Sequence, residues 1–148
     1  MVRNGFCLFI IAAIATACLD EPDCYQLNNH IIGIAFKKLS DSRADTVSFL
    51  SFGTLEPLQA FYGDTTLSRL FLPLNYFKDE TTFFFEGTDS IRFLRLGYVS
   101  QPQFVSEACG EKFVLSNLRV LEHTFDSVRL VVDVPTEEAS ITQIEIFQ

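Results

Sequence analysis

The sequence has no tryptophan, only seven glycines and only two histidines, and these shortages limit the chemistry that the chain can carry. No two glycines have the Gly-x-Gly spacing of a loop that cradles nucleotide phosphates. His30 and His123 lie far apart, whereas a zinc site needs three or four well-spaced ligands. We therefore expect no metal and no cofactor, and we expect both histidines at strand ends near the surface.

Positive charge is also scarce. The 148 residues include 11 Lys and Arg against 19 Asp and Glu, which gives a formal net charge of -8. An acidic chain repels phosphate, so nucleic acid is not expected as a partner. The apolar content of 48% is too high for a disordered chain, and the 16 phenylalanines are expected to fill a core.

Patterns typical of an active site are missing. The acidic residues form local pairs that are typical of turns and of solvent-exposed strand edges, namely Asp41 with Asp45, Asp79 with Glu80, and Glu137 with Glu138. A glycosidase needs two carboxylates facing each other across a cleft, but adjacent strand residues point to opposite faces. A nucleophile-elbow motif is absent as well. We predict that the chain is not an enzyme; a hydrolase using these carboxylates or His123 is the weaker alternative.

The first residues have the three-part layout of a secretory signal peptide. Arg3 precedes the apolar run Phe6–Ile14, and small residues follow it. A membrane-spanning anchor needs about 20 apolar residues, but acidic residues begin at Asp20. Residues 1–17 are therefore predicted to be a signal peptide, residues 18–28 an acidic tether, and residues 29–148 a single domain.

The end of the signal peptide resembles the lipobox of bacterial lipoproteins, in which small residues precede a cysteine that is lipidated and becomes the new N-terminus. Here Ala15-Thr16-Ala17 precedes Cys18, although the usual leucine three residues before the cysteine is Ala15. Cleavage after Ala17 or Ala15 without lipidation is the alternative and would release a soluble protein. Lipidation of Cys18 implies firm attachment to a membrane, because each buried methylene contributes about 0.8 kcal/mol.

The four cysteines then divide by role. Cys7 is removed with the signal peptide and Cys18 carries lipid, which leaves Cys24 and Cys109 as an even pair in an oxidising compartment. We predict a Cys24–Cys109 disulfide; two unlinked thiols are the alternative.

The rest of the chain alternates apolar and polar residues with a period of two, which is typical of strands. Strands are predicted at 30–39, 46–55, 58–62, 67–74, 81–86, 90–98, 113–123, 127–134 and 140–147. Gly63-Asp64 is predicted to be a turn, and the stretch from Ser100 to Gly110 to be irregular around Pro102. Eight or nine short strands predict an all-β fold, a single antiparallel β-sandwich of immunoglobulin-like arrangement, with a small barrel as the alternative.

A three-residue pattern of aspartate, hydroxyl residue and then Val, Ile or Thr recurs four times. It is similar to the sequon for periplasmic O-glycosylation in the Bacteroidota, and its candidate acceptors are Thr46, Thr65, Ser90 and Ser127. Ordinary turn chemistry explains the same pattern, because Asp with Ser or Thr closes turns and a β-branched residue starts the next strand. O-glycosylation of these residues is therefore kept as an alternative to the interpretation that the pattern only marks turns at the starts of strands.

Cys18 followed by Asp20-Glu21 is similar to the signal that sends Bacteroidota lipoproteins to the outer face of the outer membrane. Together with Glu21–Tyr25, the stretch 64–75 and the stretch 101–110, it resembles an uncharacterised lipoprotein family of that phylum. The resemblance implies an outer-membrane lipoprotein, facing the periplasm or the cell surface, and carries no activity. The residues favour a non-catalytic binding or scaffolding module whose partner is an envelope protein or a glycan; a carrier of an apolar ligand is the alternative.

Overall fold

The computed structural model describes residues 30–56, 58–107, 109–136 and 139–148. The predicted signal peptide and tether lie outside them. The described residues form nine strands: β1 Ile31–Lys37, β2 Val47–Leu55, β3 Leu58–Leu67, β4 Arg69–Pro73, β5 Glu80–Glu86, β6 Ile91–Ser106, β7 Gly110–His123, β8 Ser127–Leu130 and β9 Ile144–Phe147.

The strands form two sheets that pack face to face. One sheet has the order β4-β1-β9-β8, and the other has the order β3-β2-β5-β6-β7. The prediction of a β-sandwich is confirmed, and the two sheets do not close into the small barrel considered as the alternative. β4 lies at a sheet edge, as Pro73 requires, because proline cannot donate to a neighbouring strand.

One pairing departs from the antiparallel pattern. β1 runs antiparallel to β4 but parallel to β9, with Ile34 opposite Ile144. β1 therefore does not pair with β2, whereas the first two strands of an immunoglobulin domain are neighbours. The order differs because β9, which pairs with β8 on its other side, is the second neighbour of β1.

The period-two pattern places one side of each strand in the core. Phe83 and Phe85 of β5 are fully buried, while Phe84 between them is only half-buried on the opposite face. The ring of Phe85 lies 6.2 Å from Phe36 of the facing sheet and 5.5 Å from Phe49. Phenylalanine pairs of this kind join the two sheets, as the phenylalanine content predicts.

A buried glutamine starts the parallel pairing of β1 and β9. The Gln143 side-chain oxygen accepts a hydrogen bond from the Gly33 N–H at 2.7 Å, and the Gln143 N–H donates to the Gly33 carbonyl at 2.9 Å. A Cβ atom on Gly33 would lie 2.0 Å from the Ile141 carbonyl oxygen. Glycine is therefore needed here for close backbone approach.

The last two strands of the larger sheet extend beyond their neighbour. β5 pairs with β6 only as far as Gly97, and residues from Val99 to Ser106 pair only with residues from Gly110 to Ser116. We call this two-stranded extension the arm. The prediction of an irregular stretch from Ser100 to Gly110 is wrong. Pro102 is tolerated in β6 because that part of the strand is itself an edge.

The predicted turn at Gly63-Asp64 is also wrong, because both residues lie within β3. β3 pairs with β2 on both sides of a register shift between Phe49 and Ser51. The extra residue in this irregularity lets the pairing continue through a sequence that would otherwise favour a turn.

Candidate functional site

A groove opens at the end of the sandwich beside the base of the arm. The end of β2, the start of β3 and the segment that links β4 to β5 form its walls, and its volume is about 390 Å³. We call it the groove; its lining residues are Thr54, Glu56, Gln59 and the segment 73–78.

Asn75 is held by a closed ring of three hydrogen bonds. The Asn75 N–H donates to Thr81 Oγ1 at 3.0 Å, and Tyr98 Oη donates to the Asn75 carbonyl at 2.8 Å. Tyr98 uses its single proton in that bond, so Thr81 Oγ1 is the donor in the 2.6 Å contact between the two hydroxyls. The ring attaches the linking segment to β5 and β6.

Tyr98 is fully buried, and its chemistry is that of a neutral anchor. Burial, with a smaller contribution from the charges of Asp79 and Glu80, raises the pKa of the Tyr98 hydroxyl, although its hydrogen bonds to Thr81 and Asn75 act in the opposite direction. The phenol therefore keeps its proton and donates a hydrogen bond to the Asn75 carbonyl, which also accepts one from the Lys78 N–H.

The Asn75 side chain and an ion pair connect the linking segment to the opposite wall. Asn75 Nδ2 donates to the Glu56 carbonyl at 3.1 Å, and Asn75 Oδ1 accepts from the Phe77 N–H at 3.1 Å. The Lys78 ammonium contacts the Glu56 carboxylate. The hydrogen bond from the Lys78 ammonium and the positive charge of Lys78 lower the pKa of the Glu56 carboxylate. The two walls of the groove are thus connected twice.

Three aromatic rings extend from the groove to the base of the arm. The ring of Phe77 lies 4.4 Å from that of Tyr76 and 5.4 Å from that of Phe113 on β7, and Tyr76 lies 5.3 Å from Phe113. Tyr76 and Phe113 are half-buried, whereas Phe77 is 74% exposed. We call these three rings the aromatic shelf.

His30 closes the same end of the sandwich, and its prediction as a near-surface residue is wrong. The residue is buried, and its Nε2 lies 2.6 Å from the Phe113 carbonyl, which makes Nε2 the donor. Its own carbonyl accepts from the Leu74 N–H at 2.9 Å. His30 therefore joins the arm to the end of β4. His123 is exposed at the end of β7, as predicted, with Nδ1 at 3.1 Å from the Phe125 carbonyl.

The predicted glycosylation residues lie apart from the groove. Thr46 is exposed just before β2, and its N–H donates to the Asp45 side chain at 2.9 Å. Ser90 is exposed just before β6, and Ser127 is half-buried at the first position of β8. Thr65 lies within β3. Three of the four are thus strand entrances, which both interpretations of the pattern expect.

The predicted lipidation and disulfide residues fall mostly outside the described residues. Cys18 and Cys24 lie outside the described residues, so lipidation of Cys18 and disulfide bonding of Cys24 stay predictions. Cys109 lies between the strands of the arm; its N–H donates to Ser106 Oγ at 3.1 Å, and its sulfur is not a free thiol.

The predicted carboxylate pairs are not brought together across the groove. The Asp41 side chain contacts Arg43, and the Asp79 side chain accepts a hydrogen bond from the Ser100 N–H at 3.4 Å. Glu137 and Glu138 lie outside the described residues. Among the residues that the structure describes, no three His, Cys, Asp or Glu side chains are grouped to hold a metal ion. In the same residues, no helix is long and apolar enough to cross a membrane.

Sequence reasoning did not identify the groove or the aromatic shelf. The available signal was an asparagine followed by two aromatic residues just after Pro73, which ends β4. Asparagine favours a turn in which its side chain accepts a backbone N–H two residues later, and such a turn fixes the residues that follow it. Phe113 is distant in sequence, and no local sequence pattern indicates that its ring packs against Tyr76 and Phe77.

A protein-family model, described as a family of unknown function (DUF6452), matches residues 58–148, which is more than half of the chain. No curated protein and no solved structure matches the chain. The matched residues run from β3 to β9 and include Gln59, the segment 73–78 and Phe113.

Proposed function

Because the chain belongs to the family of unknown function DUF6452, whose description carries no activity, we propose its function from its own residues. The protein is a lipid-anchored binding module of the bacterial cell envelope. Cys18 attaches it to the outer membrane, and the groove with its aromatic shelf contacts the partner. It acts by binding, not by catalysis.

The observation that carries the proposal is the fixed presentation of an exposed aromatic ring. An isolated exposed apolar side chain needs no explanation. Phe77, however, belongs to a shelf beside a groove, and its backbone is held by Asn75. Rigid, concave sites that combine apolar surface with a few polar groups are typical of ligand-binding sites.

The fold favours this proposal over a carrier of apolar ligands. A carrier needs space between its sheets, but the rings of Phe36, Phe49 and Phe85 lie within 5.3 to 6.2 Å of one another there. The groove instead opens to solvent at the end of the sandwich, where a large envelope component has access.

The attachment is supported by the sequence before Cys18 and by its position. Eleven residues lie between Cys18 and His30, the first described residue. Six of them, up to Cys24, precede the proposed disulfide with Cys109. An extended chain of six residues spans roughly 20 Å, enough to hold the domain away from the bilayer surface. The Cys24–Cys109 disulfide is part of the proposal; it joins the tether to the tip of the arm, where Cys109 lies between β6 and β7.

The attachment is tested by replacing Cys18 with serine in cells and partitioning the extract into detergent and aqueous phases. We expect the wild-type protein in the detergent phase and the Cys18→Ser protein in the aqueous phase. Detergent partitioning by both proteins contradicts lipid attachment at Cys18.

The binding role is tested by cosedimentation with purified cell envelopes, using the chain from residue 18 onward with Cys18→Ser. We expect Phe77→Asp to reduce cosedimentation. Phe104→Asp is the matched control, because Phe104 is also an exposed phenylalanine, at 65%, but lies on the arm away from the groove. Equal cosedimentation of the unmodified chain and the Phe77→Asp chain contradicts a binding role for this surface.

A further inference from the structure

We propose that the groove binds a neutral saccharide, with one sugar ring lying against Phe77 and its hydroxyl groups contacting the polar rim. This inference rests on the proposed function and names the ligand class of the same site. Three features support it: the exposed ring of Phe77, the ion pair of Glu56 with Lys78, and the N–H groups of the linking segment, which already donate to other atoms of the protein.

The aromatic shelf supplies the apolar contact that one side of a sugar ring requires. Phe77 is 74% exposed, and its ring packs against Tyr76 and Phe113. Aromatic faces carry partial negative charge and attract polarised C–H groups, which a pyranose presents on one side. Because the shelf is already packed together, the stacking loses little side-chain entropy on binding.

The rim supplies hydrogen-bonding groups of both kinds. The Glu56 carboxylate accepts, the Lys78 ammonium donates, and the Gln59 amide does both. All three side chains line the groove and are exposed. Sugar hydroxyls also donate and accept, so they match such a mixed set. Hydrogen bonds to charged groups are the stronger ones.

The charges of the rim favour a neutral ligand. Glu56 and Lys78 form an ion pair with each other, so the pair presents no net charge to a ligand. A phosphate or carboxylate would compete with Glu56 for Lys78, and the protein as a whole carries a net charge of -8. An anionic saccharide is therefore disfavoured relative to a neutral one.

The backbone of the linking segment disfavours addition of a peptide strand along that wall of the groove. Peptides that bind by strand addition need unpaired backbone groups on the protein. In the linking segment the N–H groups of Leu74, Asn75, Phe77 and Lys78 all donate to other atoms of the protein. At this wall the polar groups that remain for a ligand include the side chains of Glu56, Gln59 and Lys78, which suit hydroxyl groups.

The dimensions agree with a short stretch of glycan. The volume of about 390 Å³ lies at the lower end of the range for small-molecule sites. Because the groove is open at the end of the sandwich, a longer glycan can continue from it into solvent.

The test measures binding of neutral hexasaccharides of glucose, mannose and N-acetylglucosamine to the chain from residue 18 onward with Cys18→Ser. Two-dimensional NMR follows the backbone amides, and calorimetry gives the affinity. We expect at least one hexasaccharide to shift the amides of Phe77 and Lys78, and we expect Phe77→Ala to weaken its binding about tenfold. The matched control, Phe104→Ala, is expected to leave the affinity unchanged.

The outcomes separate this inference from the proposed function. If no hexasaccharide binds at millimolar concentration, or if Phe77→Ala leaves the affinity unchanged, the saccharide inference is overturned. If envelope cosedimentation still depends on Phe77 in that case, the binding module stands with a different ligand. Removing the envelope proteins with protease tests the same point, because a saccharide ligand predicts that cosedimentation survives the treatment.

Discussion

Tyr98 shows how a single buried hydroxyl can hold a surface site in place. It lies in the core-facing row of β6, yet its oxygen contacts Thr81 and the Asn75 carbonyl at the base of the groove. The core thereby positions the linking segment directly. The position of Phe77, four residues from the last strand residue Pro73, depends on this contact.

We predict that Tyr98→Phe destabilises the protein by about 1–2 kcal/mol, because it removes the donor to a carbonyl and leaves Thr81 with one partner fewer. Urea denaturation measures the free energy of unfolding. Tyr76→Phe is the control, since the Tyr76 hydroxyl takes no part in the ring of hydrogen bonds, and it is expected to change stability by less than about 0.5 kcal/mol. Equal effects of the two substitutions would contradict the anchoring role of Tyr98.

Gly33 is a second residue at which the addition of one atom is expected to change the stability of the fold. We predict that Gly33→Ala destabilises the protein by about 3 kcal/mol or more, because a Cβ atom there would lie 2.0 Å from the Ile141 carbonyl oxygen. Thermal unfolding followed by circular dichroism gives the change. Gly87→Ala is the control, because its nearest contact would be the Ser90 carbonyl oxygen at an ordinary 3.6 Å. A Gly33→Ala protein as stable as Gly87→Ala would contradict the close approach.

At the scale of elements, the arm differs from the rest of the larger sheet. Each strand of the arm pairs with one neighbour only, and Phe104, Val105 and Val114 are exposed. Two-stranded ribbons without a buried face are marginally stable alone. At the base of the arm, however, His30 contacts Phe113, and Ser100 Oγ donates to the Tyr76 carbonyl at 2.5 Å.

We therefore predict a gradient of amide hydrogen exchange along the hairpin of β6 and β7. Amides near the tip of the arm, such as those of Gln103 and Lys112, are expected to exchange much faster than those of Phe83 to Phe85 in β5, because local opening of the tip exposes little buried surface. Exchange measured by mass spectrometry checks this. Equal protection along the whole hairpin would show that the arm is stabilised by contacts other than those described.

At the scale of the whole molecule, the family match and the folded unit have different boundaries. The match begins at residue 58, whereas β1 and β2 precede it. β1 lies between β4 and β9, and β2 lies between β3 and β5, so each is an interior strand of its sheet.

We predict that the fragment 58–148 does not fold. Without β1 and β2, both sheets lose an interior strand, and the core loses Ile32, Ile34, Phe36 and Phe49. The chain from residue 18 onward with Cys18→Ser is the control and is expected to give a dispersed proton NMR spectrum. A dispersed spectrum from the fragment would show that the matched region is a domain by itself.

The alternation of residues along the chain was enough to predict most of the strands and the sandwich. Period two sorts side chains between two faces locally, so strands such as β2 and β5 were located to within one residue at each end. The arm was missed because Pro102 is unfavourable in an interior strand, and only the sheet order shows that β6 is an edge there.

The amino-acid sequence alone determined most of the strand pattern and the net negative charge, because the first depends on neighbouring residues and the second on composition. The attachment through Cys18 is likewise predicted from neighbouring residues. The tertiary structure alone decided the groove and the aromatic shelf. Thr54, Asn75, Tyr98 and Phe113 belong to separate segments, and only the packing of the two sheets brings them to the same end of the molecule. Contacts between distant residues depend on sheet order, which local sequence preferences do not specify.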